Sequence, residues 1–174
     1  MRDLRYKPGK PHSTPVTDMA NREDFHTMPG HLIRRAHQIS VAIFMEECAE
    51  HNVTPVQYAC LSEIARQPGV DATRLASAVA FDRSTLGNVL ERLEAKGWVD
   101  RRPSPEDRRV KLLYISQAGE NLLQAVEPAV VATQKRLLKP LSGADRKMFM
   151  RLIGELVEGN NEVSRAPMGR GEAE

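Results

Sequence analysis

A tight break between two short amphipathic segments constrains the fold of this chain more than any other feature. Asp71 begins the first segment, and the second opens at Phe81 and Asp82 and stops at Gly97. In both segments the apolar residues recur at the spacing of one helix face. Two helices that meet across so few residues form a helix-turn-helix, so the sequence predicts this motif over residues 71–97.

The segment that follows Gly97 predicts a β-hairpin. Residues 98–102 lead into a charged stretch marked by Pro103 and Pro105, and residues 110–115 alternate between apolar and polar as a strand does. A hairpin directly after the second helix makes the motif a winged helix-turn-helix.

Further helices are expected on both sides of this unit. Thr54, Pro55 and Gln57 form the sequence signature of a capped helix start. Apolar spacing also predicts helices over residues 31–51, 116–137 and 142–160. These outer helices carry more apolar surface than a small winged-helix core covers, which favours a homodimer over a larger monomeric bundle. The expected fold class is mainly α: a winged helix-turn-helix with a two-stranded β-wing and an N- and C-terminal helical dimerisation region.

Composition and charge exclude several classes of protein. Lys and Arg total 25 against 23 Asp and Glu, so any surface for a polyanion must be local. Cys48 and Cys60 are too few for a disulfide scaffold or a zinc-finger framework. The chain has no apolar run near the roughly 18 residues that span a bilayer and no signal-peptide pattern. We therefore expect a cytoplasmic protein without a membrane partner.

No motif in the sequence points to catalysis. It lacks a P-loop, a GxGxxG, a GxSxG elbow and an HExxH, so the chain is not expected to be an enzyme or to hold a cofactor. Glu47 and His51 have the i, i+4 spacing of a metal pair, but two ligands do not make a site. We therefore expect no metal.

The second helix of the motif has a polar face suited to DNA. If Leu86, Leu90 and Leu93 face the core, the opposite face presents the predicted DNA-binding residues Ser84, Thr85, Asn88 and Arg92. Asparagine pairs with adenine, arginine pairs with guanine or phosphate, and small hydroxyls bind phosphate. The alternative is the solvated surface of an ordinary helical bundle.

The predicted wing is locally basic. Residues 101–111 contain five Arg or Lys against Glu106 and Asp107, a local charge of +3 in a nearly neutral chain. Arg108, Arg109 and Lys111 are the wing residues that we predict to bind DNA. The alternative is a set of solvated hairpin charges, with Asp107 holding a neighbouring arginine in a weak surface pair.

Taken together, these segments resemble the MarR family of winged-helix transcription regulators over roughly residues 29–160. The resemblance lies in Asp82-Arg83-Ser84-Thr85-Leu86-Gly87-Asn88-Val89-Leu90, in Leu93-Glu94-Ala95-Lys96-Gly97-Trp98-Val99, and in the D-x-R wing Asp107-Arg108-Arg109 followed by a strand and Ser116-Gln117-Ala118-Gly119. It implies a triangular homodimer on a pseudo-palindromic operator, with the first and last two helices at the dimer interface and the recognition helix in the major groove. It also implies that Arg109 reaches the minor groove, with Arg108 as its substitute.

This organisation divides the chain into three parts. Residues 1–29 hold four of the eleven prolines and mixed charge, and are expected to form an extended or disordered arm. Residues 30–160 form the winged-helix domain, with dimerisation helices at 30–52 and 116–160 and a DNA-binding lobe at 53–115. Residues 161–174 are expected to form a flexible tail.

A small-molecule effector is expected from the residues near the start of the first helix. Arg34, Arg35 and His37, with Tyr58 on the next helix, would suit an aromatic carboxylate whose ring is buried and whose acid group is paired. A satisfied core histidine and solvated arginines are the alternative. The stretch His31–Arg35, with Gln38 and Phe44–Glu47, resembles the family branch that controls aromatic catabolism, including hydroxycinnamate and hydroxynicotinate pathways. The resemblance therefore implies a repressor that is released from DNA by an aromatic acid.

Two other functions stay open. Some members of the family sense oxidants through cysteine, which here would involve Cys48 or Cys60. A winged helix used only for protein contacts is the other alternative, and it predicts no salt-dependent DNA binding.

Overall fold

The structure is a computed structural model that describes residues 24–169. The predicted N-terminal arm therefore lies mostly outside the described residues, as do residues 170–174 of the predicted tail. No helix among the described residues is long and apolar enough to cross a membrane.

The chain forms two units, Met1–His37 and Gln38–Glu174. The described part of the first unit holds a 3-10 turn at Phe25–Thr27 and the beginning of helix α1 (Pro29–Glu47). Asp24 caps the 3-10 turn, because its carboxylate accepts the backbone N–H of His26 at 3.0 Å.

The second unit contains the remaining helices and the sheet. In chain order after α1 these are a 3-10 turn (Ala49–His51), α2 (Pro55–Arg66), β1 (Val70–Asp71), α3 (Ala72–Ala78), α4 (Arg83–Ala95), β2 (Val99–Pro103), β3 (Lys111–Ile115), α5 (Gln117–Leu137), α6 (Gly143–Gly159) and a 3-10 turn (Asn161–Val163). This order confirms the six expected helices and the mainly helical winged fold. The bounds assigned to arm, domain and tail stay predictions.

Side-chain caps explain where the helices of the second unit begin. Thr54 accepts the backbone N–H of Gln57 at 3.2 Å, and the Gln57 side chain accepts the backbone N–H of Thr54 at 3.1 Å. This reciprocal pair is the predicted capping box. Asp71, Ser116 and Ser142 likewise accept backbone N–H groups at the starts of α3, α5 and α6. Short-range signals therefore placed these starts correctly.

The first helix ends earlier than its apolar spacing predicts. It stops at Glu47 rather than at His51, and a 3-10 turn follows. Asn52 then adopts a left-handed conformation with φ of 49°, which reverses the chain toward Val53. Asparagine is one of the few residues that tolerates this conformation, so the break is set by backbone geometry and not by hydrophobic spacing.

The wing has a third strand that the sequence analysis missed. β3 lies between β1 and β2 in an antiparallel sheet, and Val70 pairs with Leu113 while Val99 pairs with Ile115. β1 is only two residues long, too short to show alternation, and its pairing partner lies more than 40 residues away. The predicted two-stranded wing is confirmed by β2 and β3. The additional strand β1 was not predicted, because it depends on a long-range contact.

Two clusters of buried side chains form the core of the second unit. The larger one joins α2, α3, α4 and the sheet, and includes Cys60, Leu61, Ile64, Leu75, Leu86, Leu90, Leu93 and Leu113. The smaller one joins the end of α1 to α5 through Phe44, Cys48, Val53 and Val126. Trp98 and Leu122 pack against both clusters, so the helix-turn-helix is attached to α5 through a continuous apolar contact.

Candidate nucleic-acid interface

Helix α4 separates its apolar and polar residues onto opposite faces. Leu86, Leu90 and Leu93 are at most 3% exposed and pack into the larger cluster. Ser84, Thr85, Asn88 and Arg92 are all exposed. A polar helix face of this kind is accessible to a DNA groove, which is what the predicted role of these four residues requires.

Asp82 caps the start of α4 and also binds two side chains there. The sequence predicted only that the helix begins at this residue. Its carboxylate accepts the hydroxyls of Ser84 at 2.7 Å and Thr85 at 3.0 Å, and the backbone N–H of Thr85 at 2.8 Å. These hydrogen bonds, that of the Ser84 hydroxyl first, lower the pKa of Asp82 to about 2. Asp82 is therefore ionised at neutral pH.

The hydrogen bonds to Asp82 also limit the hydrogen bonds that the Ser84 and Thr85 hydroxyls can donate to DNA. A hydroxyl has one hydrogen, and in both residues that hydrogen is donated to Asp82. Each hydroxyl must therefore break its bond to Asp82 before it can donate to a phosphate. The signal for this arrangement was in the sequence, as an Asp followed two and three residues later by hydroxyl side chains.

Arg109 lies at the tip of the wing and is held by Asp107. The side chain of Arg109 is 91% exposed, and its Nε and Nη2 atoms each lie 3.2 Å from a carboxylate oxygen of Asp107. The Arg109 side chain and backbone N–H together lower the pKa of Asp107. This is the surface pair that the sequence analysis kept as an alternative, and such a pair contributes little to stability. The carboxylate of Asp107 therefore orients the guanidinium of Arg109, which stays exposed.

The positive charge of the wing is partly compensated by neighbouring residues. The Arg101 Nε lies 3.0 Å from a carboxylate oxygen of Glu94 on α4. The Arg102 Nη2 lies 3.4 Å from a carboxylate oxygen of Asp100, and its guanidinium stacks over the Tyr114 ring. Arg108 and Lys111 are exposed and make no ion pair within the described part of the chain. The free positive charge of the wing is therefore concentrated at its tip and at the start of β3.

Ser116 and Gly119 join the base of the wing to α5. The Ser116 hydroxyl donates to the carbonyl of Gly97 at 2.6 Å and accepts the backbone N–H of Gly119 at 3.1 Å. A β-carbon added at Gly119 would overlap the carbonyl oxygen of Trp98 and would lie 2.7 Å from a side-chain carbon of Ile115. The Ser-x-x-Gly spacing is thus a packing requirement at the junction of α4, the wing and α5.

The four predicted effector residues divide between the two units. Arg34, Arg35 and His37 are exposed on α1 in the first unit. Tyr58 is half-buried in the second unit, where its ring centroid lies 6.0 Å from that of Phe44. That these residues form one ligand site stays a prediction.

A cluster of aromatic rings in the first unit was missed by the sequence analysis. The ring centroid of His31 lies 4.4 Å from that of Phe25 and 5.3 Å from that of His26. Desolvation and the nearby charge of Arg34 lower the pKa of His31, and its Nδ1 atom is buried without a hydrogen-bond partner. Phe25 and His26 precede α1. Their contact with His31 depends on the turn before the helix, so helical spacing could not predict it.

The spacing of Glu47 and His51 does not produce a metal site. Glu47 accepts a hydrogen bond from the Arg136 Nη1 at 2.9 Å. No group of three or more His, Cys, Asp or Glu residues is arranged to hold a metal ion anywhere in residues 24–169.

Both cysteines are buried in the second unit. Burial raises the pKa of the Cys60 thiol to about 11 and also raises the pKa of Cys48, for which desolvation is again the largest cause. A thiol must ionise to react, so this environment opposes redox sensing by either residue.

We expect iodoacetamide at pH 8 to alkylate Cys60 in the folded protein at least about 100-fold more slowly than in urea, because a pKa two units higher reduces the thiolate fraction by that factor. Peptide mapping after a timed reaction checks Cys48 and Cys60 separately. Rapid labelling of either residue in the folded protein would contradict this expectation and favour the oxidant-sensing alternative.

Gly87 interrupts the polar face of α4 with a position that carries no side chain. A β-carbon added there would meet no atom within 4 Å. Gly87→Ala is expected to raise the free energy of unfolding by about 0.5–1 kcal/mol, because glycine is a poor helix former. The same variant is expected to bind DNA more weakly, because the methyl group projects from the face that we predict to enter the groove. Urea unfolding and a DNA titration on the same preparation measure both effects, and unchanged DNA affinity would place this face away from the groove.

Known proteins with this fold regulate transcription. Residues 53–111 match the MarR family. The chain is 30% identical over 127 residues to the transcriptional regulator HosA of Escherichia coli, covering 73% of this chain and 93% of HosA. It is 26% identical over 134 residues to the HTH-type transcriptional repressor NicR of Pseudomonas putida, covering 77% of this chain and 85% of NicR.

A solved structure extends the similarity to three dimensions. The structure of BpsR from Bordetella bronchiseptica, whose DNA binding is regulated by 6-hydroxynicotinic acid, superimposes with a TM-score of 0.73 at 27% identity. The match covers 78% of this chain and 96% of BpsR. These relatives are transcriptional regulators and not enzymes, which confirms the function class expected from the sequence. The chain belongs to the MarR family of winged helix-turn-helix transcription regulators.

Proposed function

We propose that this chain is a homodimeric repressor that binds a pseudo-palindromic operator and leaves it when a small aromatic carboxylic acid binds. The observation that carries the proposal is the exposed polar face of α4, with Asn88 and Arg92 opposite three buried leucines. Arg108, Arg109 and Lys111 on the wing supply the positive charge that a DNA backbone requires. α4 would read bases in the major groove, and the wing would contact the adjacent backbone and minor groove.

The apolar surface of α6 supports the homodimer. No residue of this 17-residue helix is buried. Six of its large apolar side chains are 41% to 60% exposed, namely Met148, Phe149, Met150, Leu152, Leu156 and Val157. An apolar surface of this extent marks an interface, and a two-fold axis allows the same patch to cover itself. Such a dimer would place its two copies of α4 about one helical turn of DNA apart.

The relatives support an aromatic acid as the effector. BpsR is regulated by 6-hydroxynicotinic acid and superimposes on this chain over most of its length. Arg34, Arg35 and His37 lie within one turn of α1 and provide two guanidinium groups and an imidazole for a carboxylate. These three residues, with Tyr58, are therefore the first to substitute when an effector is found.

Release from DNA would follow from differential binding of the effector to two conformations of the dimer. If the acid favours a dimer whose recognition helices are wrongly spaced, a coupling free energy of about 1–3 kcal/mol reduces operator affinity by roughly 5- to 150-fold. The acid needs no contact with α4 to have this effect.

A mobility-shift titration on the DNA upstream of the chain's own gene tests the proposal. It is run at two salt concentrations, with and without a panel of hydroxylated benzoates, cinnamates and nicotinates. We expect tight, salt-sensitive binding that is lost with one class of acid. Binding that ignores every acid and is lost on oxidation would assign regulation to Cys48 or Cys60. No binding at either salt concentration would leave the winged helix as a protein-interaction module.

A further inference from the structure

The chain that follows α6 returns to the helix-turn-helix. Asn161 holds this return in place, because its side-chain amide donates to the carbonyl of Met168 at 3.0 Å and accepts the backbone N–H of Met168 at 2.9 Å. The backbone N–H of Gly169 then donates to the carbonyl of Ser77 on α3 at 3.2 Å. Residues 164–169 are termed the C-terminal strap. Both contacts lie at its C-terminal end, where Met168 bonds to the 3-10 turn that follows α6 and Gly169 bonds to α3.

The turn between α3 and α4 lines surface cavities together with the strap. Ala80 in this turn has a φ of 53°, a left-handed conformation that is unfavourable for alanine. A cavity of about 350 Å³ is lined by Ala80 together with Leu156 and Val157 of α6 and Ala166 and Met168 of the strap. The strap therefore lines this cavity together with the turn that sets the direction of α4.

This path brings Arg165 beside the N-terminus of α4. Arg165 and Asp82 line one surface cavity of about 370 Å³, together with Thr73 at the start of α3. Arg165 is exposed, and its positive charge adds to the hydrogen bonds of Ser84 and Thr85 in lowering the pKa of Asp82. A guanidinium group is thereby placed at the end of α4 that carries the predicted DNA-binding residues.

We propose that the C-terminal strap is a further part of the DNA-binding surface, in which Arg165 binds a backbone phosphate next to the N-terminus of α4. This inference rests on the proposed DNA-binding function and extends it to a segment outside the winged helix. A phosphate that approaches the end of α4 meets the ionised Asp82, which repels it. Arg165 offsets that charge and presents donors in the geometry that suits phosphate.

Arg165→Gln tests the proposal, with Arg66→Gln as the matched control. Both variants remove one exposed arginine charge, and Arg66 pairs with Glu63 within α2. The full-length chain is titrated with the upstream duplex and with a random-sequence duplex of equal length, between 0.1 and 0.3 M salt. For each bound chain, Arg165→Gln is expected to weaken binding roughly 8-fold at 0.1 M salt and to lower the log–log salt slope by about 0.9 on both duplexes. Arg66→Gln is expected to bind like the wild type.

Asn161→Ala distinguishes a positioned arginine from a diffuse charge. This change removes both hydrogen bonds to Met168 and leaves Arg165 intact. We expect it to lose a substantial part of the affinity lost in Arg165→Gln, at unchanged helix content by circular dichroism. Equal binding by Arg165→Gln and Arg66→Gln, or wild-type affinity in Asn161→Ala, would overturn the role of the strap while leaving the proposed repressor intact. If the wild-type chain binds neither duplex, the proposed function fails and the role of the strap fails with it.

Discussion

Gly119→Ala is expected to lower the free energy of unfolding by about 3 kcal/mol or more, the upper range for overpacking a tight site. The added methyl group would overlap the carbonyl oxygen of Trp98, which belongs to the backbone and cannot rotate away. It would also lie 2.7 Å from a side-chain carbon of Ile115. Relief requires α5 to move from the base of the wing, and that movement would stretch the hydrogen bond between Ser116 and the carbonyl of Gly97.

Urea unfolding followed by circular dichroism measures this loss, and Gly143→Ala serves as its control. A β-carbon at Gly143, the first residue of α6, would meet no atom within 4 Å. The control should therefore be neutral or slightly stabilising. A loss below about 1 kcal/mol in Gly119→Ala would show that α5 moves easily and that the Ser-x-x-Gly spacing is not a packing requirement.

Asn88→Ala is expected to reduce operator affinity by roughly 5- to 150-fold for each bound chain, because a bidentate base contact is worth about 1–3 kcal/mol. Asn88 is exposed on α4, one turn beyond Ser84, where a side chain can reach a base edge. The loss on random-sequence DNA should be much smaller, because a contact to a base contributes little there. The measurement is a pair of titrations, on the operator and on a random duplex, at one salt concentration.

Arg109→Ala provides the comparison for Asn88→Ala, because it removes a contact that is not expected to read bases. Its guanidinium is oriented by Asp107 at the tip of the wing, and a contact in the backbone or minor groove carries little sequence information. We therefore expect similar losses on both duplexes and a lower salt slope. Equal losses on both duplexes for Asn88→Ala would contradict its assignment as a base reader.

Which features could be predicted from the sequence depended on how far apart along the chain the interacting residues lie. Thr54 and Gln57 are three residues apart, and the sequence predicted their capping box. The sequence also predicted a helix that begins at Ser116, although not the bond from the Gly119 N–H to the Ser116 hydroxyl. The buried leucines of α4 follow from helical spacing alone. β1 was missed because Val70 pairs with Leu113, and Arg101 counted as free charge until the structure placed it beside Glu94.

In the candidate site too, only features that depend on neighbouring residues could be predicted from the sequence. The exposed residues of α4 were predicted from the face opposite the leucines, which is a local property of one helix. The bonds that Asp82 accepts from Ser84 and Thr85 were visible in the sequence but were not interpreted. Arg165 had no such signal, because its proximity to Asp82 depends on the path of the chain after α6.

The sequence by itself determined the helices, their caps, the helix-turn-helix and the polar face of α4, because each depends on residues within about one or two turns of one another. The tertiary structure alone decided the third strand, the packing of Gly119 against Trp98 and the hydrogen bond that joins the C-terminal strap to α3. These features need contacts between residues that are distant along the chain. A local pattern of apolar and polar residues contains no information about which distant partner it will meet.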